Sequence, residues 1–181
     1  MKVVKPYEVE ARFIVSNDFK DKLEKMGFKV TKEYRFTDHF FRPRGGWRGN
    51  KSLRARDWGE FCEVLFDHIE VFERDGIKVK RSIYPEGKVK LYEGTLESCL
   101  KLLEDMEFEK CGEIKKDIGY LMSDGELMVA LEKINGKWVL EIELNGEDLD
   151  KAIEEMKKAM RKLGLGKPSG TSTRELFGLR C

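Results

Sequence analysis

Residues 7–15 read Tyr-Glu-Val-Glu-Ala-Arg-Phe-Ile-Val, and apolar and charged side chains alternate along this stretch. Successive side chains of a β-strand point to opposite faces, so a strict alternation predicts a strand with one apolar and one charged face. A strand of this kind lays its apolar face on a core and groups its charges on the other face. The apolar face would carry Val9, Ala11, Phe13 and Val15, and the charged face Glu8, Glu10 and Arg12.

The same alternation recurs elsewhere, and the charges on each strand are mostly of one sign. Between residues 137 and 144, Glu141 and Glu143 oppose Trp138, Leu140 and Ile142. Three further segments carry cations on one face instead, with an apolar partner between each pair. These basic pairs are Arg54 and Arg56, Lys78 and Lys80, and Lys88 and Lys90.

Like charges two residues apart on a strand lie about 6–7 Å apart, a spacing at which they can share a ligand. Paired carboxylates suit a hard divalent cation such as Mg²⁺, which prefers oxygen ligands. Rows of arginine and lysine suit phosphate oxygens. A metal-bound polyphosphate is therefore one interpretation, and a sheet face that is simply solvated is the other.

The overall composition conceals this grouping of charges. The 181 residues include 35 Lys and Arg against 34 Asp and Glu, and 38% of all residues are charged, compared with about 25% in typical soluble proteins. A net charge of +1 argues against a general DNA-compacting protein, and the 40% hydrophobic content argues against disorder. The abundance of Lys and Glu is typical of hyperthermophile proteins.

Periodicity predicts eight strands. The apolar-rich segment Phe61–Glu73 has an ambiguous pattern, and we assign it as a ninth strand. Asn135-Gly136 between two alternating runs predicts a two-residue hairpin. The eight strands are Tyr7–Val15, Phe28–Phe41, Lys51–Trp58, Gly76–Tyr84, Lys88–Glu93, Glu109–Leu121, Glu126–Ile134 and Lys137–Leu144.

Three segments have helical spacing of apolar residues: Ser16–Met26, Thr95–Met106 and Glu147–Leu163. Ser16 or Asn17 and Thr95 are the predicted N-caps of the first two, and Gly27 is expected to end the first. Together the elements predict an α+β fold, an antiparallel β-barrel of eight or nine strands with about three helices packed outside it. Length favours one domain, residues 1–181.

No apolar run is long enough for a membrane span, and the first residues lack the apolar region of a signal peptide. We therefore expect a cytoplasmic protein that does not bind membranes. Cys62, Cys99, Cys111 and Cys181 form no CxxC pair, and we expect them to be reduced and structurally incidental.

Several motifs in order resemble those of the CYTH superfamily, the triphosphate tunnel metalloenzymes. Glu8-Val9-Glu10-Ala11-Arg12 resembles the ExExK signature, with arginine in place of lysine, and Leu53-Arg54-Ala55-Arg56 resembles the LRxR strand. Glu141-Ile142-Glu143 resembles the ExE strand. Three weaker matches are residues 36–41 to the DxYF segment, 113–116 to a KxR strand and 172–176 to SYxELL.

The resemblance implies an antiparallel barrel around a charged tunnel, with Mg²⁺ or Mn²⁺ as cofactor and a triphosphate-containing small molecule as partner. Carried over by position, the metal ligands would be Glu8, Glu10, Glu132, Glu141 and Glu143. The triphosphate would be bound by Arg54, Arg56, Lys78, Lys80 and Lys115. Glu10, Arg12 and Lys90 would serve in catalysis.

The resemblance leaves three functions open. The first is hydrolysis of inorganic triphosphate or of a nucleoside or thiamine triphosphate, with a metal-positioned water attacking. The second is an adenylate cyclase that forms cyclic AMP from ATP. The third is a polyphosphate- or nucleotide-binding protein without turnover, suggested by Arg12 in place of the signature lysine. A monomer and a homodimer are both compatible with the sequence.

The segment from Arg42 to Arg56 carries six basic residues, no acidic ones and Trp47. The resemblance favours a glycine-hinged loop over the tunnel mouth. A solvated loop is an alternative, and a nucleic-acid contact with Trp47 stacking on a base is a third and less favoured interpretation.

Overall fold

The computed structural model describes residues 7–169, 173–179 and 181. These residues form nine strands, and each coincides with a predicted one, including the apolar-rich segment that forms β4. Every strand boundary lies within two residues of its prediction. The strands are β1 (Tyr7–Val15), β2 (Lys29–Pro43), β3 (Lys51–Asp57), β4 (Cys62–Arg74), β5 (Ile77–Ser82), β6 (Val89–Gly94), β7 (Phe108–Ser123), β8 (Met128–Ile134) and β9 (Lys137–Gly146).

The three predicted helices are confirmed as α1 (Phe19–Lys25), α2 (Leu96–Asp105) and α3 (Leu149–Lys162). Thr95 caps α2 by accepting a hydrogen bond from the Ser98 amide. The predicted N-cap of α1, Ser16 or Asn17, is wrong, because the N-cap residue is Asp18 and no side chain caps the helix. A short helix that the periodicity did not indicate, α4 (Thr173–Leu176), follows near the C-terminus.

Strand pairing follows the order β3-β2-β7-β8-β9-β1-β5-β4-β6, and β3 also pairs with β4. That additional pairing closes a ring of eight hydrogen-bonded strands, to which β6 is added beside β4. Every pairing whose register is defined is antiparallel, as in β1 with β9 and β3 with β4. The predicted antiparallel α+β fold is therefore confirmed. The tunnel and the single domain over residues 1–181 remain predictions.

The β8–β9 hairpin has the turn that its sequence predicted. Asn135 and Gly136 both have positive φ, 48° and 83°, as a two-residue turn of this kind requires. Ile134 pairs with Lys137 directly at the turn, which fixes the register of the two strands. This register sets the faces on which Glu132 and Glu141 lie.

The chain forms two compact units, and four strands, β2, β4, β5 and β7, contribute one part to each. Unit 1 comprises residues 1–35, 71–81 and 116–170, and its core joins the apolar faces of β1, β8 and β9 to helices α1 and α3. Unit 2 comprises residues 36–70, 82–115 and 171–181, and its core joins β3 and β4 to α2.

The expectation for the cysteines is wrong for one pair. Cys111 on β7 and Cys181 form a disulfide with a Cα–Cα distance of 5.6 Å, whereas Cys62 and Cys99 are free and buried in the unit 2 core. Sequence spacing did not indicate this pair because 70 positions separate its members and only folding brings them together. Within the described residues, no helix is long and apolar enough to cross a membrane.

Candidate functional site

Three carboxylates of unit 1 meet where β1 pairs with β9. Glu10 lies directly opposite Glu143, and Glu141 lies opposite Arg12 two pairs further along. One oxygen from each of Glu10, Glu141 and Glu143 lies within 4.8 Å of the other two. Alternation along the two strands places all three side chains on the face opposite the core, as the sequence predicted.

Two cations are built into this acidic cluster. Lys80 on β5 places Nζ 2.6 Å from Glu10 Oε2, and 3.7 Å from the carboxylate of Glu8. The Nη2 of Arg12 bridges two carboxylates, donating to Glu10 Oε1 and, at 2.9 Å, to Glu141 Oε2. Both Glu10 and Arg12 are buried. A buried charge needs such partners because its hydration has been lost.

Glu143 differs from Glu10 and Glu141 in its ion pairing. Within the part of the chain that the structure describes, it forms no ion pair and accepts no hydrogen bond from a side chain. Its residue as a whole is exposed, whereas Glu10 is only 3% exposed. It is therefore the carboxylate of the cluster that an incoming cation meets without first displacing a protein cation.

The surroundings shift the pKa values of the three carboxyl groups in different directions. Burial raises the pKa of Glu10, but the charges of Lys80 and Arg12 outweigh it, and the pKa is lowered overall. Burial, reinforced by the nearby Glu10, raises the pKa of Glu141 despite the opposing charge of Arg12. Burial also raises the pKa of Glu143, against the influence of Lys80.

A second buried carboxylate of unit 1, Glu132 on β8, is held by two groups that the sequence analysis did not identify. Lys116 Nζ lies 2.7 Å from Glu132 Oε2, and the Tyr34 hydroxyl donates to the same oxygen at 2.6 Å. Gly119 makes room for the tyrosine, since a Cβ built there would lie 2.3 Å from the Tyr34 ring.

Lys115, the predicted phosphate ligand, lies in unit 2 and is exposed. The pairing of β7 with β8 shifts register between Lys116 and Ile118. Strict alternation does not hold across such an irregularity, because one strand there carries an extra residue. A change of face at this point could not be read from the sequence.

Arg54 and Arg56 come together in unit 2 around the buried carboxylate of Asp38. Arg56 donates Nε to Asp38 Oδ1 at 2.8 Å and Nη2 to Oδ2 at 3.0 Å, and Arg54 donates Nη1 to Oδ2 at 3.2 Å. Each guanidinium also lies over an aromatic ring, Arg56 over Phe36 at 4.2 Å and Arg54 over Phe40 at 4.8 Å. Asp38 therefore fixes two predicted phosphate ligands in defined orientations.

The other predicted residues take less buried positions. Lys78 pairs with Glu10 in the register of β5 with β1, and its charge contributes to lowering the pKa of Glu10. Glu8 is adjacent to Lys80 at the outer side of the acidic cluster. Lys90 lies on β6 in unit 2, about half exposed, with Nζ 2.7 Å from Glu93 and 3.5 Å from Glu63.

Trp47 belongs to the unit 2 core and is not a surface platform for a base. Its ring lies 5.8 Å from that of Phe66 and 5.9 Å from that of Phe108, and its Nε1 is buried. The exposed basic side chains of this loop, such as Arg48, remain in solvent. Base stacking by Trp47 is therefore excluded by its packing.

The acidic cluster fits a hard divalent cation in the chemistry of its donors. All three groups are carboxylates, the oxygen ligands that Mg²⁺ and Mn²⁺ prefer, and they converge within one ion's reach. Glu143 is unpaired, and Arg12 and Lys80 hold Glu10 and Glu141 in place. Glu132 is not part of this convergent group.

No family model matches this chain, and no curated protein matches it. Solved structures do match over nearly the whole chain. A conserved hypothetical protein from Pyrococcus furiosus is 18% identical with a TM-score of 0.73, covering 93% of this chain and 99% of its own. A candidate adenylate cyclase from Vibrio parahaemolyticus is 18% identical with a TM-score of 0.69, covering 94% and 97%.

A third match is the adenylyl cyclase candidate HpAC1 from Hippeastrum, described as having a dominant triphosphatase activity. It is 16% identical with a TM-score of 0.63, covering 95% of this chain and 94% of its own. The chain thus has the fold of these proteins, and membership of the CYTH superfamily stays a prediction from the sequence motifs. Identities this low establish a shared fold and leave activity to be argued from the site.

Proposed function

We propose that the protein is a metal-dependent enzyme that hydrolyses triphosphates, with its metal centre at Glu10, Glu141 and Glu143. The observation that carries this proposal is the convergence of three carboxylates beside Arg12 and Lys80. Cations next to a metal-binding carboxylate cluster suit a substrate that carries several negative charges. The triphosphatase activity described for HpAC1, which shares the fold, supports the same reaction class.

In this proposal each group of unit 1 has a role that follows from its contacts. Glu10, Glu141 and Glu143 would hold Mg²⁺ or Mn²⁺, which would neutralise phosphate charge and activate a water. Arg12 orients Glu10 and Glu141 through one guanidinium nitrogen, and Lys80 is available to phosphate oxygens. Water passes a proton to a carboxylate of the cluster as it attacks the terminal phosphorus. The phosphoanhydride bond breaks, the diphosphate part of the substrate leaves, and the attacked phosphorus is released as inorganic phosphate.

Arg54 and Arg56 of unit 2 are also proposed as phosphate ligands. The support for them is the LRxR resemblance together with their fixed orientation on Asp38. Lys78, Lys90 and Lys115 stay predictions from the resemblance, as do Glu8 and Glu132 as metal ligands. The cytoplasmic location and the oligomeric state stay predictions as well.

Two other functions remain candidates. The fold shared with the Vibrio protein favours an adenylate cyclase, in which the ribose 3′-hydroxyl replaces the attacking water. The contacts of Arg12 favour a binding protein without turnover, because its Nη2 already donates hydrogen bonds to two carboxylates.

One panel of assays separates the three. Purified protein is incubated with tripolyphosphate, thiamine triphosphate or ATP, with Mg²⁺ or Mn²⁺, while phosphate and cyclic AMP are both measured. We expect metal-dependent phosphate release that EDTA abolishes. Cyclic AMP from ATP would establish the cyclase instead. Tight tripolyphosphate binding without any product would establish the binding protein, and neither binding nor product would refute the proposal altogether.

A further inference from the structure

A segment of unit 2, α4 and the described residues after it, contacts the strands of the same unit, and one of these contacts is covalent. Cys181 is disulfide-bonded to Cys111 on β7. The side chain of Leu179 covers Gly112, where a Cβ would lie 2.4 Å from Leu179 Cδ2. The Leu179 amide donates to the Arg174 carbonyl at 2.8 Å, which folds the segment back on itself.

Arg174 also extends from this segment to the strands of unit 2. Its guanidinium lies 5.9 Å from the centre of the Phe40 ring, the same ring over which Arg54 lies at 4.8 Å. Its Nη1 reaches the Lys51 carbonyl at 3.5 Å. Among the described residues, no carboxylate lies within ion-pair distance of Arg174.

The arginines in this region have unused hydrogen-bonding capacity. The Nε of Arg54 is buried and has no hydrogen-bond partner in the described part of the chain. Burial lowers the pKa of Arg54, and the positive charges of Arg56 and Arg174 add to this effect against Asp38. A buried guanidinium with an unpartnered Nε and two other positive charges beside it is suited to a ligand with several anionic oxygens.

We infer that Arg174 is a further anion-binding residue beside Arg54, and that the Cys111–Cys181 disulfide is the redox-sensitive anchor that keeps it there. The inference rests on the proposed function in taking a polyphosphate as the anion. It adds to that function a third phosphate-binding arginine, after Arg54 and Arg56, and a regulation of polyphosphate binding by thiol reductants. Reduction releases the segment and weakens polyphosphate binding.

The length of α4 explains why a covalent anchor is needed. A helix of four residues is far below the 12–15 or so at which isolated helices become even marginal, so its order depends on its attachments. Without the disulfide, only non-covalent contacts, among them those of Leu179 and Arg174, are left to oppose the gain in chain entropy.

The redox step is an ordinary thiol–disulfide exchange. A dithiol reductant attacks one sulfur as its thiolate, and the S–S bond of Cys111–Cys181 breaks through a mixed disulfide. The protein takes up two electrons and two protons and ends with two thiols, and the dithiol ends as its own disulfide. Cys62 and Cys99 are free thiols, so this is the bond that the reductant opens.

The test measures tripolyphosphate affinity by calorimetry, with Mg²⁺, before and after treatment with dithiothreitol. Loss of one charge-assisted contact predicts binding about tenfold or more weaker in the reduced protein. Arg174→Gln keeps the disulfide and should bind weakly in both redox states. Arg161→Gln, an exposed arginine on α3, is the matched control and should respond to reductant as the unmodified protein does.

Hydrogen exchange of the C-terminal peptide tests the anchor without any ligand. We expect the Leu179 amide to exchange faster after reduction, and unchanged exchange would overturn the anchor. Tripolyphosphate binding that is equal in both redox states would overturn the inference while leaving the proposed function intact. Absence of binding in both states would overturn the proposed function, and the exchange result would then decide the anchor alone.

Discussion

Glu10 and Glu143 face each other across β1 and β9, yet their surroundings give them different roles. Glu10 is buried between Arg12 and Lys80, and its charge compensates theirs. Glu143 is exposed and unpaired within the described residues. The register of β1 with β9 thus places Glu10, which stabilises the site, opposite Glu143, which is free to bind a ligand.

This difference leads to a prediction with an internal control. Glu143→Gln should weaken Mn²⁺ binding about tenfold or more and change the free energy of unfolding by no more than about 0.5 kcal/mol. Glu10→Gln should also cost about 3–5 kcal/mol of stability, since it removes the buried negative charge that lies between Arg12 and Lys80. Electron paramagnetic resonance of Mn²⁺ and thermal denaturation measure the two effects.

Glu155→Gln, an exposed residue of α3, is the neutral control for both measurements. If Glu143→Gln bound Mn²⁺ as well as the unmodified protein, the metal centre would have to lie elsewhere.

At the scale of elements, the turns and caps are as informative as the strands. The turn between β7 and β8 is built on Asp124, which accepts hydrogen bonds from the amides of Glu126 at 2.9 Å and Leu127 at 2.8 Å. Lys162, in the last turn of α3, pairs with the same carboxylate. Asp124 therefore ties the end of a helix to a hairpin of the unit 1 sheet.

The amide of Leu127 and the nearby Lys162 hold the pKa of Asp124 well below its usual range. A carboxyl group with a lowered folded-state pKa stabilises the fold above its unfolded pKa, about 3.9, and that contribution disappears as pH falls through the folded value. At pH 7, Asp124→Asn should lower the free energy of unfolding by about 1–2 kcal/mol.

Urea denaturation of both proteins from pH 7 down to pH 2 measures this difference, which should shrink toward the acid end. Glu126→Gln is the control, because that side chain is exposed and lies 3.7 Å from Lys162. A difference that stayed constant with pH would show that the Asp124 charge contributes nothing.

At the scale of the whole molecule, the disulfide is the feature that most changes the expected stability. It joins positions 70 residues apart, so it restricts a large part of the unfolded chain. The loop-entropy account gives a disulfide of this kind about 2–4 kcal/mol. For a chain of this length that corresponds to a fall in Tm of roughly 5–15 °C on reduction.

Calorimetry with and without a reductant measures this fall. Cys111→Ser should already melt at the lower temperature and should not respond to the reductant. A Tm that reductant leaves unchanged in the unmodified protein would contradict the prediction.

The sequence by itself determined the strands, because period-two alternation fixes both where a strand runs and which residues share its charged face. It also determined that Glu10 would lie on the charged face of one strand and that Glu141 and Glu143 would lie on the charged face of another. Thr95 as the start of a helix and Asn135-Gly136 as a turn were determined in the same way. These are local properties, set by backbone geometry and by neighbouring side chains.

Tertiary structure alone decided which faces meet. Register brings Glu10 opposite Glu143, Lys116 pairs with Glu132 beside an irregularity in β7, and Asp38 accepts hydrogen bonds from two arginines of another strand. Pairing across distant positions also joins Cys111 to Cys181 and places Arg174 beside Phe40. None of these contacts could be read from spacing, because each depends on how remote segments align when their apolar faces are buried together.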